Sequence, residues 1–251
     1  MKELALEMLK LSFESSKESQ DTNQASSRTL KVLPFVEEGY VVNLDNMFFV
    51  VSKKLQNNLY EVYPILPYHE LASKEDILII PNKEILPISF LWFANIRNKL
   101  ILSAGELKKG IFYNKLRKID LYRLNGKFEK VNYGNLDVND PIYQEFSKYM
   151  IELLKDYKKA SDTFQKYQER WLSYKAASSD TFLDFGDFLV WLYTDRIELV
   201  FSEDKNGFAE IYIGNTLFDI LEVKGKKATL KLDNIDVEEV KDILRVEFYG
   251  F

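Results

Sequence analysis

Cysteine is absent from this chain of 251 residues, and histidine occurs only once, as His69. The missing thiol excludes disulfides, thiolate nucleophiles and every zinc site that needs cysteine. A single imidazole cannot supply the paired histidines of an HExxH metal site. The sequence therefore predicts neither a metal centre nor a bound cofactor.

Long apolar runs are also missing, since no segment approaches the roughly 18 residues that a membrane-spanning helix needs. The N-terminal segment MKELALEMLKLSFE places Glu3 and Glu7 among its apolar residues, unlike a secretory signal. The formal net charge of -5 gives no general attraction to nucleic acid. We expect a cytoplasmic protein that does not enter a membrane.

Catalytic motifs are scarce as well. The sequence contains no GxSxG elbow and no glycine-rich phosphate loop. His69 stands beside Glu70, but a general base also needs a nucleophile or a water within reach. The carboxylate oxygens of Asp184 and Asp187 would suit a hard cation, but a spacing of three residues between carboxylates is commonplace on helices. No residue is predicted to be catalytic or to bind a metal, and the balance is against an enzyme.

The first segment, residues 1–29, is predicted to be a tethered docking element. Two neighbouring apolar stripes run along residues 1–14: Leu4, Met8 and Leu11, and Leu6, Leu9 and Phe13. A helix this short is unstable alone in water, so it must dock on this chain or on a partner. Residues 14–29 are rich in Ser, Gln and Asn, which is typical of a flexible linker. We expect Leu4, Met8 and Leu11 to contact a protein partner.

Residues 30–135 are predicted to form a strand-rich domain. The β-branched and aromatic runs are KVLPFV, YVVNL, MFFVVS, LYEVYPIL, DILIIP, FLWFANI and IRNKLIL. Turn residues such as Asp45-Asn46 and Asn57-Asn58 separate them. Short strands at this spacing predict a small curved barrel or a sandwich. Ser103 and Glu106 form a capping box that starts a helix, which we expect to continue to Lys118.

Residues 140–178 show the strongest pattern, which begins with Asp140 as a cap and Pro141 at the first helical position. Apolar residues then recur at intervals of 4 and 3: Phe146, Met150, Leu153, Tyr157, Ala160, Phe164, Tyr167, Trp171 and Tyr174. The pattern predicts one long helix, or a hairpin of two helices if Ser161 or Asp162 caps a second one. The seam packs within this chain or joins copies of it as a homodimer. The residues expected at such an assembly surface are Met150, Leu153, Tyr157, Phe164, Tyr167 and Trp171.

Residues 179–251 are predicted to form a smaller α+β domain. The segment FLDFGDFLVWLY is read as helical or mixed, and the runs IELVF, FAEIYI, LFDILEV and KATLKL as strands. Asn206-Gly207 is a strong turn signal. A short helix at DVEEVKDIL and a terminal strand at RVEFYGF complete the segment. The whole chain is therefore expected to be an α+β protein.

A basic stretch between Trp92 and Tyr122 contrasts with the acidic total. Its candidate nucleic-acid contacts are Arg97, Lys99, Lys108, Lys109, Lys115, Arg117 and Lys118. Phe112 and Tyr113 lie among them and could stack on bases. Alternatively, the 4 and 3 spacing of Phe112, Leu116 and Ile119 indicates the buried face of a helix, and the lysines then occupy its solvated face.

The strand-rich part, from Gly39 to Leu124, resembles the SH3-like barrel of the PemK/MazF toxin family. The matching segments are Gly39-Tyr-Val-Val-Asn-Leu, Phe49-Val-Val-Ser and Val62-Tyr-Pro-Ile for the first three strands, and Trp92-Phe-Ala-Asn-Ile-Arg and Ala104-Gly-Glu-Leu-Lys-Lys-Gly-Ile for a late strand and the helix after it. The resemblance implies an SH3-like fold and, in the family, cleavage of RNA.

The active-site residues of that family are not matched here. Asn46-Met47-Phe48 stands where the ribonucleases carry Arg-Pro, and Leu66-Pro67 where they carry Thr or Ser. The loop that closes over RNA is reduced to Asp45-Asn46. A phosphoryl transition state needs a fixed cation and a proton carrier. The resemblance therefore implies the barrel without the toxin's active site.

Together these features favour a non-catalytic interaction or regulatory protein that binds a protein partner. The N-terminal helix is its expected docking element and the helical seam its assembly surface. Deletion of residues 1–29 is then expected to abolish binding and to leave the melting temperature nearly unchanged. An RNA-binding protein or endoribonuclease of PemK/MazF type is the alternative, and it predicts binding that weakens steeply with salt.

Overall fold

The computed structural model of the chain is a mixed α+β fold with a curled antiparallel sheet. The residues that it describes are 1–23, 33–66, 68–80, 92–129, 134, 136–173 and 181–251. The chain divides into two compact units. The first unit contains Met1–Lys53, Glu61–Leu100 and Lys109–Lys158, and the second unit contains Lys54–Tyr60, Ile101–Lys108 and Lys159–Phe251.

The N-terminal half of the chain contains three helices and seven strands among the described residues. In chain order these are α1 (Lys2–Asn23), β1 (Tyr40–Leu44), β2 (Met47–Lys54), β3 (Leu59–Leu66), β4 (Ile77–Ile79), β5 (Trp92–Ala94), β6 (Leu100–Ser103), α2 (Ala104–Lys108), β7 (Ile111–Lys115) and α3 (Lys118–Leu124). Short 3-10 turns occupy His69–Leu71 and Ile96–Asn98. The strands form one sheet in the order β4-β5-β3-β2-β1-β7, in which β6 pairs with β3.

The C-terminal half begins with two helices and continues with a second antiparallel sheet. Its elements are α4 (Pro141–Leu153), α5 (Lys155–Ser173), β8 (Thr181–Asp184), β9 (Phe188–Tyr193), β10 (Arg196–Ile213), β11 (Thr216–Lys231), α6 (Val237–Ile243) and β12 (Leu244–Gly250). The strand order is β11-β10-β9-β8, and β12 also pairs with β10. Within the described ranges, no helix combines the length and the apolar content needed to cross a membrane.

Each unit has its own apolar core. In the first unit, Val41, Val50, Ile65 and Leu116 are buried together on one side of the curled sheet. The core of the second unit surrounds Phe164 and includes residues from β9, β10, β11 and α6. Burial of apolar surface at about 25 cal/mol per Å² is the main favourable term in folding for both cores.

The strands β1, β2 and β3 confirm the sequence prediction for these three runs. Asp45 and Asn46 have φ values of 47° and 66°, and they join β1 to β2 as a two-residue turn with Leu44 opposite Met47. Positive φ at both central residues is the requirement of a type I′ hairpin, which Asp and Asn tolerate. The described residues of the predicted strand KVLPFV, 33–36, are not in a strand.

The helix expected from Ala104 to Lys118 is wrong beyond Lys108. The capping box is present, since Glu106 N–H donates to Ser103 Oγ over 3.1 Å and Ser103 N–H donates to Glu106 Oε2 over 3.2 Å. The chain then passes through Gly110 into strand β7. A Cβ at Gly110 would overlap the side chains of Val42 and Leu44 and would lie 2.9 Å from the backbone O of Asn43, so the close approach to β1 requires glycine.

The long helical segment is two helices rather than one rod, and the break is at Leu154. This residue is fully buried and has φ -90° and ψ 4°, and its N–H donates to Met150 O over 3.0 Å. Asp140 caps α4 by accepting from Ile142 N–H over 2.9 Å, as predicted. Ser161 lies within α5 and does not cap a second helix, because its Oγ accepts from Ile101 N–H over 2.8 Å.

Two local predictions for the C-terminal segment are wrong. The segment 182–193, expected to be helical or mixed, is a β-hairpin without helix, and Gly186 adopts φ 84° in its turn. Asn206-Gly207 lies inside β10 and is not a turn. Gly207 is required there because a Cβ would overlap the carbonyl of Tyr249 on the neighbouring strand β12. The short helix α6 and the terminal strand β12 confirm their predictions.

The linker predicted for residues 14–29 is helical as far as Asn23, and residues 24–29 lie outside the described part of the chain. Helix formation is limited by its first turn and propagates readily once that turn is formed. The first turns of α1 are fixed by packing, as described below. The helix therefore continues through a segment whose Glu, Lys and Gln residues are good helix formers.

Candidate functional site

Helix α1 packs on the first unit, alongside α4. Ala5, Leu6 and Leu9 are almost completely buried. The ammonium group of Lys2 lies 3.0 Å from Asp140 Oδ2, and that of Lys10 lies 2.6 Å from Glu145 Oε1. Because both pairs advance in the same direction along the two helices, α1 and α4 run side by side. The helix is therefore part of the packed unit, and the expectation of a tethered helix is wrong.

The three residues predicted to contact a partner lie on the uncovered side of α1. Leu4, Met8 and Leu11 expose 56%, 47% and 60% of their surface, and Met1 extends the row. The structure thus separates the two apolar stripes that the sequence placed side by side. Leu6 and Leu9 anchor the helix, and Leu4, Met8 and Leu11 form a row on its surface. We call this row the α1 stripe.

Acidic residues border the α1 stripe. Glu3 and Glu7 are exposed, and at 100° per residue they fall on the side of the stripe away from Ala5 and Leu9. The basic residues of this segment, Lys2 and Lys10, form ion pairs with α4. The uncovered surface of α1 is therefore apolar with an acidic border.

The predicted assembly residues of α4 and α5 are mostly used inside the chain. Met150 is buried in the first unit, and Leu153 is half-buried. In the same unit, the ring centroids of Tyr157 and Phe49 lie 5.1 Å apart. Phe164 is fully buried in the core of the second unit and Tyr167 packs against that core. Met150 and Phe164 therefore pack within this chain, which was one of the two expectations for the seam. The side chain of Trp171 and the whole of Tyr174 lie outside the described part.

The cations of the basic stretch are distributed over several elements, and most have a carboxylate of their own. Arg97 makes a bidentate pair with Glu75, with distances of 2.6 Å and 2.8 Å. Lys99 lies 3.4 Å from a carboxylate oxygen of Glu61. These pairs compensate the positive charge locally.

Three further cations of the stretch are paired in the same way. Lys115 contacts Glu37 over 2.5 Å, and Arg117 contacts the buried Asp120 over 2.7 Å. In the second unit, Lys108 is only 13% exposed on its side chain, because it reaches Asp219 Oδ1 over 2.6 Å. Lys108 is therefore not available to a phosphate, which corrects its assignment as a nucleic-acid contact.

Lys109 and Lys118 are exposed, and they belong to the loop after α2 and to the first turn of α3. The helical interpretation of Phe112, Leu116 and Ile119 is also wrong. Leu116 is buried, but Phe112 lies in β7 and Ile119 in α3, and both are exposed. The ion pairs of the basic stretch were not predicted from the sequence, and binding of nucleic acid to its exposed cations stays a prediction.

The other candidate residues have ordinary structural positions. His69 is exposed in a 3-10 turn, and its Nδ1 lies 3.3 Å from Glu70. Asp184 accepts from Gly186 N–H over 2.8 Å in the turn after β8, and Asp187 follows in the same turn. Among the described residues there is no cluster of His, Asp or Glu able to hold a metal ion.

The residues that sequence reasoning missed are the acidic partners of the basic stretch. Glu37 precedes Lys115 by 78 residues, and Glu75 precedes Arg97 by 22. Pairing over such separations leaves no local pattern. Asp120, however, lies three residues from both Arg117 and Arg123, which is a spacing that a helix brings together. That signal was present in the sequence.

Comparison with known proteins gives no matching family model, no matching curated protein and no matching solved structure.

Proposed function

We propose that this protein is a non-catalytic interaction protein that binds a protein partner through the α1 stripe. The observation that carries the proposal is the exposure of Leu4, Met8 and Leu11 on a helix whose opposite side is fixed in the first unit. Residues at this spacing are the anchors by which a helix enters an apolar groove. The proposed partner presents such a groove.

The acidic border of the stripe specifies the partner further. Glu3 and Glu7 lie beside the apolar row, so a groove with Lys or Arg along one rim would be complementary in charge. Because α1 is already helical and packed, binding does not require this segment to fold. A preformed helix avoids the entropic cost of ordering, which favours affinity from a small contact area.

We also propose that the curled sheet of the first unit is an SH3-like barrel of PemK/MazF type that lacks the toxin's active site. The barrel rests on the sequence resemblance, and two observations support the absence of the active site. The turn Asp45-Asn46 is a tight two-residue hairpin, and Asn46 N–H donates to Asn43 Oδ1 over 3.0 Å. Such a turn leaves no long loop to close over RNA, and the ion-paired basic stretch offers few uncompensated cations.

The experiment that tests the proposed docking places a photo-crosslinking amino acid at Met8 in living cells and identifies the adduct. The captured protein is then purified, and its affinity is measured by calorimetry against two variants. Leu4→Glu/Leu11→Glu places charges in the stripe. Ile151→Glu is the matched control, because Ile151 is an exposed apolar residue on α4.

We expect the stripe variant to weaken binding by about 100-fold, as for loss of central apolar anchors, and the control to bind normally. Equal binding by both variants would overturn the proposed docking surface. If the adduct is a second copy of this chain, the occupant is a homodimer instead, and light scattering of the wild type and of Leu4→Glu/Leu11→Glu would show it.

A further inference from the structure

The first unit contains a cleft that the proposed docking does not use. It has a volume of about 370 Å³, within the range of small-ligand sites. One wall is formed by β2 and β3, which contribute Lys53, Glu61 and Tyr63, and the other by Asn125 and Lys127, which follow α3. Both walls belong to the same unit.

The strand wall is built around the carboxylate of Glu61. Its Oε1 accepts from Ser52 Oγ and from Tyr63 Oη, each over 2.9 Å, and Lys99 lies 3.4 Å from Oε2. Burial opposes ionisation, but the hydrogen bonds from Tyr63 and Ser52 and the Lys99 charge lower the pKa of Glu61. Glu61 is therefore a fixed acceptor, and Oε2 keeps capacity for a further donor.

The phenol of Tyr63 complements this acceptor. Burial and the neighbouring Glu61 carboxylate raise the pKa of Tyr63, so it keeps its proton at neutral pH. Its orientation is set by the hydrogen bond to Glu61. The strand wall therefore presents polar groups whose positions are fixed before any ligand arrives, which lowers the entropic cost of binding.

The opposite wall is set by the end of α3. Gly126 has φ 70°, its N–H donates to Arg123 O over 3.1 Å, and Lys127 N–H donates to Tyr122 O over 2.8 Å. This pair of bonds is the Schellman motif, which places glycine in the left-handed region. The motif fixes Lys127 and Asn125 at the cleft, and Asn125 Nδ2 also donates to Ser52 O over 3.0 Å.

The balance of charge in the cleft favours an uncharged ligand. The lining contains two carboxylates, Glu38 and Glu61, and two ammonium groups, Lys53 and Lys127. Their formal charges cancel, so the cleft favours neither an isolated anion nor an isolated cation. Donors and acceptors in equal supply suit a neutral molecule that carries many hydroxyl groups, since each hydroxyl both donates and accepts.

An aromatic surface adjoins the cleft. The rings of Tyr122 and Phe128 are nearly parallel, with centroids 5.9 Å apart and an angle of 19°, and they expose 40% and 54% of their surface. Lys127, which lines the cleft, directly precedes Phe128, and its Nζ covers the ring of Tyr122 at 5.6 Å from the centroid. The negative face of an aromatic ring attracts the polarised C–H groups on one side of a sugar ring.

We propose that this cleft binds a neutral carbohydrate, with hydroxyl groups hydrogen-bonded to Glu61, Tyr63 and Asn125 and a sugar ring packed on the exposed ring of Phe128. The site is separate from the α1 stripe, and neither proposal depends on the other. A protein with both surfaces would bind a sugar ligand and a protein partner at separate sites.

Saturation-transfer NMR on the full chain tests the proposal with maltotriose, cellotriose, xylotriose and chitotriose as probes. We expect transfer to the ring protons of at least one of them. Phe128→Ala should weaken that binding about tenfold, because the stacking contribution is lost. The matched control is Phe182→Ala in the second unit, because Phe182 and Phe128 each expose 54% of their surface.

A second pair of variants separates loss of the site from loss of fold. Gly126→Ala and Gly186→Ala strain residues that have φ 70° and φ 84° and open space around them. Both should lower the melting temperature to a similar degree, but only Gly126→Ala should lose the sugar. No transfer to any probe, equal effects of the two glycine variants on binding, or displacement of the sugar by millimolar phosphate or glycine would each overturn the proposal.

Discussion

Two buried carboxylates of the first unit are held by donors that are near them in sequence. Asp76 accepts from Ser73 N–H over 2.7 Å and from Ser73 Oγ over 3.0 Å. Asp120 lies between the guanidinium groups of Arg117 and Arg123. Local pairings of this kind are visible in a sequence as spacings of three.

Asp76 differs from an ion-paired carboxylate, because it is buried and the hydrogen bonds that it accepts come from the neutral groups of Ser73 and Ile96. Burial raises the pKa of Asp76 above its ordinary value of 3.8, although the hydrogen bonds from Ser73 and Ile96 act in the opposite direction. A raised folded pKa means that the folded state binds the proton more tightly than the unfolded state. The resulting stability is fully present below about pH 4 and is lost as the pH rises through the folded pKa.

Replacing Asp76 with Asn should remove this pH dependence, because the amide does not titrate. We expect the unfolding free energy of the wild type, relative to Asp76→Asn, to fall as the pH rises above about 4 and through the raised folded pKa. Urea unfolding of both proteins at several pH values measures the difference. A difference that stays constant over this range would show that Asp76 does not titrate within it.

Helix α1 shows what periodicity can and cannot reveal about an element. The spacing of Leu4, Met8 and Leu11, and that of Leu6 and Leu9, correctly indicates two stripes. The pattern does not say which stripe faces the chain, because both have the same period and similar hydrophobicity. Contacts with α4, more than 130 residues away, decide it.

The two stripes should respond differently to truncation. Leu9→Ala should cost about 2–4 kcal/mol, because Leu9 is buried and its removal leaves a cavity. Leu4→Ala should change the unfolding free energy by less than about 0.5 kcal/mol, because Leu4 is exposed. Chemical denaturation of the two variants measures both values. Equal costs would contradict the packing of α1.

The same packing reverses an expectation from the sequence. Deletion of α1 removes Ala5, Leu6 and Leu9 from the first unit, so the melting temperature should fall rather than stay unchanged. The single-residue variants in the α1 stripe are therefore the better test of partner binding. They change the exposed surface and leave the buried one intact.

Glycine was the main source of error at the scale of elements. Asn206-Gly207 has the composition of a hairpin turn, but Gly207 is needed because the backbone of Tyr249 passes close to it. The hairpin between β10 and β11 turns instead at Gly214, which has φ 61°. A sequence shows where glycine occurs, but it does not show whether a turn or a neighbouring strand requires it.

At the scale of the molecule, the sequence correctly predicted an α+β protein and most of the strands of the first sheet. Short β-branched runs separated by Asp-Asn and Asn-Asn turns are specified by local chemistry. The ion pairs of the basic stretch are specified by the folded chain, since Lys115 and Glu37 are 78 residues apart. Long-range ion pairs of this kind cannot be predicted from a short window of the sequence.

The ion pairs lead to a prediction about RNA. We expect the wild type not to retard a long single-stranded RNA in a gel at about 50 mM salt, because most cations of the stretch are compensated and the net charge is -5. The double variant Glu37→Gln/Glu75→Gln should bind more strongly, since it releases Lys115 and Arg97. Retardation by the wild type that declines steeply with salt would instead support an RNA-binding protein.

The second unit is built from segments that are far apart in the sequence, and this has a consequence for synthesis on the ribosome. Asn57 exchanges hydrogen bonds with Asp233, which is made 176 residues later. At roughly 5–20 residues per second, the earlier segment waits about 10–35 s for its partner. Until then the backbone N–H and the side-chain amide of Asn57 lack these partners, so pausing or premature termination in the last third of the message should leave this segment more exposed to proteases.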